Sequence, residues 1–185
     1  MRFLLHSSAG LFLFALLPYS LQAQEPSPED RAKIREATAA APNAIGAEAE
    51  VRDWDGRVLR PGTNGWTCYP SIPDSGGDDA MCLDDPWVGF VEAWVERGTP
   101  NVTTVGFGYM LCGDAPSSNL DPFAEGPTAD NEWMSEGMPH LMIVVPDAEV
   151  LRGLPTEPHL GGPWVMWRDT PFVHVMVPLP RNPDC

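Results

Sequence analysis

The sequence predicts an α+β fold: a single domain built on a mainly antiparallel sheet of about five strands, with one amphipathic helix packed on it and a long acidic loop over one edge. Three observations lead there. Short apolar or alternating stretches recur between turn dipeptides such as Asp55-Gly56 and Asn64-Gly65, the pattern of strands joined by tight connections. One segment alone, beginning at Asp84, has a clear helical period. The 21 Pro and 17 Gly make up about a fifth of the 185 residues, enough for many turns, while hydrophobic residues at 43% exceed what a structureless chain carries.

The first 23 residues have the layout of a cleavable secretory signal, with Arg2, an apolar run from Leu11 to Leu17 and a small residue, Ala23, before the expected cut. The apolar run is short for a bilayer span, so the expectation is an exported protein, periplasmic or secreted, with no membrane span once the signal is removed. Residues 24–46 form a polar and Ala-rich lead-in, partly helical. Ser27-Pro28-Glu29-Asp30 supplies a cap, a Pro at the first helical position and acids in the first turn, and Pro42 ends the helix. The single α+β domain is expected over residues 47–185.

Within that domain, residues 47–54 alternate like a half-exposed strand, and residues 57–60 return after Asp55-Gly56 as a hairpin. Trp87, Phe90, Val91 and Trp94 fall at i, i+3, i+4 and i+7, with Glu92, Glu96 and Arg97 opposite. That stripe is expected to dock the helix on the core; a sugar-stacking platform is the weaker alternative. Residues 102–112 (VTTVGFGYMLC) read as a strand whose face bearing Gly106, Gly108 and Met110 lets something approach closely, most simply this helix. The glycines do not form a dinucleotide loop, because Leu111 occupies the third glycine position. Residues 113–136 form the acidic loop, without periodicity, and a loop of that length in a compact domain is commonly functional. Residues 140–145 (HLMIVV) are apolar on both faces, as a buried central strand is. After a short helix over residues 148–154, residues 163–168 and 172–178 form a terminal hairpin.

Four cysteines in an exported chain imply disulfides, and three pairings are possible. Cys68–Cys82 fits best, since the intervening YPSIPDSGGDDAM is rich in turn-formers and gains from being tied; Cys112–Cys185 follows by elimination. A zinc site is disfavoured because no closely spaced Cys pair occurs.

Charge and composition exclude more than they select. The chain has a net charge of −15, which disfavours nucleic acid and anionic lipid as partners and has solubility as its plainest explanation. Ten of the 11 basic residues are Arg; the one Lys, Lys33, precedes the domain, which closes Schiff-base, P-loop and Ser-Lys routes within it. No nucleophile elbow, H-E-x-x-H helix or EF-hand loop occurs.

Candidate sites are accordingly few, and no residue is singled out as catalytic. His140 and His174 open similar tracts, HLMIVVP and HVMVP. On parallel strands they would converge on a metal, completed by Asp121, Glu125, Asp130 or Glu132 of the acidic loop; if the hairpin returns the last strand antiparallel, they fall at opposite ends. No cofactor is required, and a divalent cation is the one these groups would take. The oxygen-rich turns around Asp74, Asp78, Asp79, Asp84 and Asp85 are a weaker cation candidate. Trp133, with Asp121 and Glu132, is the aromatic most readily assigned to a ligand.

The stretches GTNGWTCYP, MCLDDPW, DNEW, PHLMIVVPD and GGPWVMWRDTPFVHVMVP, within residues 61–178, resemble a family of secreted bacterial proteins with no assigned activity. The resemblance implies a bacterial, exported protein and brings no catalytic residue with it. The leading expectation is therefore a non-catalytic exported binding or structural domain, its partner a small molecule, a glycan or a protein. A metal-assisted or carboxylate-dependent hydrolase using His140, His174 and the acidic loop is the alternative.

Overall fold

The computed structural model describes residues 25–185, so the expected signal over residues 1–23 lies outside it. Three helices and ten strands follow in chain order: α1 (Pro28–Ala39), α2 (Asn43–Gly46), β1 (Glu50–Arg52), β2 (Val58–Arg60), β3 (Trp66–Tyr69), β4 (Met81–Asp84), α3 (Asp85–Val95), β5 (Gly106–Met110), β6 (Ser117–Ser118), β7 (Trp133–Met134), β8 (His140–Val144), β9 (Trp164–Met166) and β10 (His174–Pro178). The class is α+β with a mostly antiparallel sheet, but the sheet has eight strands, not about five, in the order β2-β1-β3-β4-β5-β8-β10-β9. β1 and β3 are its one parallel pair.

The extra strands come from segments too short to show a period. β4 is four residues long and runs directly into the cap of α3. It pairs with β3 so that Cys68 lies opposite Cys82, and these two form a disulfide with their Cα atoms 3.9 Å apart. The second disulfide joins Cys112 to Cys185. It fastens a tail whose Asn182 donates its backbone N–H to the Leu111 carbonyl and its side-chain amide to the Ala39 and Ala41 carbonyls.

Two helices cover opposite faces of the sheet. On the back face, Ala37, Ala40 and Ala41 at and beyond the end of α1 pack with Val51, Leu59, Cys68 and Cys82. Small side chains let this helix lie close to the disulfide, so an alanine-rich segment contributes to a core despite its weak hydrophobic signal. On the front face α3 buries Trp87 and Phe90 against Leu83, Met142, Val144, Phe172 and Met176.

Asp84 anchors α3. Its Oδ1 accepts from the Trp87 N–H, capping the helix, and its Oδ2 accepts from the Phe107 N–H of β5 at 2.7 Å. The glycines of β5 make the approach possible. A Cβ at Gly106 would come within 2.7 Å of Pro86 Cβ, and one at Gly108 within 2.9 Å of Leu83 and Met142 side-chain carbons.

The acidic segment 113–136 is not the structureless loop its composition suggests. β6 and β7 pair across it, and Asn119, fully buried, ties it down. The Asn119 side chain donates to Glu132 and to the Thr156 carbonyl and accepts from Trp164 Nε1. Both edges of the main sheet are three residues long. At β2 the side chain of its last residue, Arg60, donates to the Ala49 carbonyl. At β9 the Val165 N–H is taken by the Pro155 carbonyl, and the strand stops at Trp167, which has φ of 52°. Among the described residues no helix is long and apolar enough to cross a membrane.

Because Pro86 is rigid, Gly106→Ala should destabilise the protein by about 1–3 kcal/mol through overpacking. Denaturant unfolding measures this; an unchanged midpoint would mean that α3 does not press on β5 as described.

Candidate functional site

The strand registers carry front-face side chains in rows across the sheet. Met110 of β5 lies opposite His140 of β8, and His140 opposite Pro178 of β10. In the next row Gly108, Met142, Met176 and Trp164 follow one another across β5, β8, β10 and β9. In the third, His174 lies opposite Met166 of β9. Since β8 and β10 are antiparallel, His140 and His174 sit at opposite ends of the pair, but on the same face and over the same cavity.

That cavity, of about 290 Å³, lies between the sheet and α3 and is walled by residues 114–118, 121, 122 and 124 of the acidic segment. The segment is held to α3 by the Trp94 indole N–H, which donates to the Pro122 carbonyl, and by the Arg97 guanidinium, 4.8 Å from the centre of the Phe123 ring. Its lining is mostly apolar: Met81, Met110, Met142, Met166 and Met176, five of the eight methionines in the chain, together with Trp87 and Phe90.

The two imidazoles are among the few polar groups of the lining. His140 is fully buried, and its Nδ1 lies 2.6 Å from the Met138 carbonyl oxygen. A carbonyl only accepts, so Nδ1 carries the proton and Nε2 the lone pair. His174 repeats this with the Phe172 carbonyl at 2.9 Å. Around it stand Trp87, Phe90 and Trp167, with ring centres 5.0 to 5.8 Å away. Burial pushes both imidazoles down to about 4, so both are neutral at neutral pH. In the wall beside them, burial pushes the Asp114 carboxyl up to about 7, aided by the neighbouring Asp79. Asp79, itself raised by burial, accepts from the Ile72 N–H and the Ser75 hydroxyl.

Among the described residues three buried side-chain polar atoms lack any partner: Trp87 Nε1, Ser117 Oγ and His140 Nε2. All three residues line this one cavity. Since Ser117 Oγ and His140 Nε2 are each unbonded, they do not form a nucleophile-base pair with one another.

The other residues singled out from sequence are distributed more widely. Asp121 lines the cavity while its carboxylate accepts from the Phe123 N–H. Glu132 is engaged with Arg168 at 2.9 Å and with Asn119. Trp133 and Glu132 line a separate surface groove with His159, so Trp133 does not meet the two histidines. Glu125 and Asp130 lie in a third, open depression with Asp121. Asp84 is the helix cap, and Asp78 pairs with Arg181. Among the described residues no three of His, Cys, Asp and Glu come together where they could share a metal ion. What the sequence reading missed are Ser117 and the methionines. Its available signal was the repeated His-x-Met of His140-Leu141-Met142 and His174-Val175-Met176.

Comparisons with protein-family models, with curated proteins and with solved structures find no match to this chain.

The buried groups make stability depend on pH in opposite senses. In the unfolded chain the imidazoles bind protons near pH 6.5, but in the fold only near 4, so stability falls as pH drops through that interval, by at most about 3 kcal/mol per imidazole. Asp114 stays protonated in the fold up to about 7 but ionises near 4 when unfolded, so it lowers stability as pH rises between them. His140→Phe should therefore flatten the acid limb between pH 6.5 and 4, and Asp114→Asn should raise stability at pH 8 but not at pH 3.5. Unfolding curves across pH test both; a His140→Phe profile parallel to the wild type over the acid limb would mean that His140 titrates normally.

Proposed function

We propose that this is an exported, non-catalytic binding domain that takes a small ligand into the cavity beneath α3. The observation that carries this reading is that the three residues bearing unpartnered buried polar atoms all line one mostly apolar cavity. Leaving a buried donor or acceptor unsatisfied costs about 1–3 kcal/mol each. Packing alone gives no return for three of them, whereas a guest that accepts from Trp87 Nε1 or takes up the lone pair of His140 Nε2 would engage one or two of them on binding. An apolar lining with a few convergent polar groups is the usual composition of a small-molecule site. The methionines favour adaptation to the ligand's shape. The two disulfides agree with an oxidising, exported setting.

The hydrolytic alternative has less behind it. The Glu132 carboxylate of the acidic segment is committed to Arg168 and Asn119, Asp121 supports a turn, and the Ser118 hydroxyl is held by the Asn131 carbonyl.

A phenol such as p-cresol carries an apolar ring and one hydroxyl, and serves as a probe. In a 1H–15N titration the Trp87 indole resonance should shift, with saturation, together with backbone signals of β8 and residues 114–118. Ser117→Trp, which fills the space, should abolish the shift while circular dichroism stays unchanged. Shifts confined to Trp133 and its groove, or none at all, would defeat the assignment of the site.

A further inference from the structure

Resting on the reading of this cavity as a binding site, we infer that its occupant is a soft monovalent metal ion, Cu(I), held by imidazole and thioether donors in two similar half-sites, His140 with Met110 and Met142, and His174 with Met166 and Met176. The registers carry the inference. In each half-site a His and the Met two residues later point to the same face of one strand. A second Met lies directly opposite the His on the neighbouring strand, β5 for His140 and β9 for His174. Met142 and Met176 face each other across β8 and β10, so the antiparallel pair relates the two triplets by a local two-fold axis. Each of the six side chains is at most 6% exposed, and all six line the cavity.

The donor chemistry selects the ion. Both imidazoles spend Nδ1–H on a backbone carbonyl two residues back, the outer hydrogen bond that orients a metal-ligating His. Nε2 then carries the lone pair, and on His140 it is buried and unpartnered. No proton has to leave for a metal to bind there. Thioethers are poor ligands for hard ions and select Cu(I), which accepts two or three soft donors; zinc and calcium call for thiolate, imidazole or carboxylate sets. Neutral donors suit a single positive charge. The lining contains no Arg or Lys to repel it, and Asp79 and Asp114 stand in the same wall. Met81, across from Met110 at the β4 end of the row, extends the thioether surface toward Asp79.

The test is an anaerobic competition of the purified, disulfide-bonded protein with the chromophoric Cu(I) chelator bicinchoninate, followed by copper K-edge X-ray absorption. The protein should withdraw one or two Cu(I) per chain, and the absorption spectrum should show both sulfur and nitrogen scatterers. Met142→Leu combined with Met176→Leu keeps side-chain size and should weaken Cu(I) binding at least tenfold, as should His140→Phe. Met134→Leu, a side chain outside the cavity, should leave it unchanged. Failure of the wild type to withdraw Cu(I), a spectrum with no sulfur scatterers, or equal affinity in the folded double variant would overturn the inference; the wild-type spectrum decides the matter even if a variant does not fold. If p-cresol still shifts the Trp87 indole while Cu(I) is refused, the metal is wrong and the binding pocket stands; if neither probe enters, both readings fall.

Discussion

The Asp84 carboxylate is the joint on which the front half of the molecule turns. One oxygen caps α3 and the other holds the edge of β5, so a single side chain sets both where the helix starts and how far it stands from the sheet. The cap satisfies a backbone donor that the helix cannot. Gly106 and Gly108 then bring the N-terminal end of α3 down onto the sheet. The far end is tied instead to the acidic segment, through the Trp94 bond to Pro122. The helix is thus clamped at one end and propped at the other, and the cavity runs beneath it, lined from Trp87 in the first turn to Trp94 in the last.

Burying two imidazoles in that space has a cost, since each is deprived of water and retains only one intramolecular hydrogen bond at Nδ1. What offsets it is the surrounding apolar burial. Trp164 and Phe172 are almost wholly inaccessible, and aromatic rings meet His174 edge-on from three sides. A core organised only for stability would gain by replacing His140 with an apolar residue of similar size. That the chain instead holds the ring in one tautomer is a specific use of polarity.

Sequence reading goes far where a strand shows a period or a turn chemistry and stops where pairing is non-local. The strands at Gly106–Met110, His140–Val144 and His174–Pro178 are legible because apolar runs are bounded by Pro, Gly and polar clusters. The glycine face of β5 and the terminal hairpin follow from the same local information. β4 is invisible because Met81–Asp84 is too short to alternate and ends in a helix cap, and Ser117–Ser118 forms a strand only because Trp133–Met134 lies beside it. The two histidines are prominent as isolated polar residues at the heads of apolar tracts. Their methionine neighbours are not, since Met110 reaches His140 through a register between strands 30 residues apart. Trp133 stands out in the sequence for its acidic surroundings, but its neighbours in space are Glu132 and His159.

The two ends of the sheet limit how anything can approach the molecule. With β2 and β9 each only three residues long, and the second covered at Val165 and followed by a left-handed residue, neither margin offers the long run of free backbone groups that an incoming chain would need to join as a further strand. The protein is therefore guarded against stacking into fibres through its edges. Visitors are directed to its faces, and on the front face the cover is the acidic segment, tied down through Asn119, not the sheet itself.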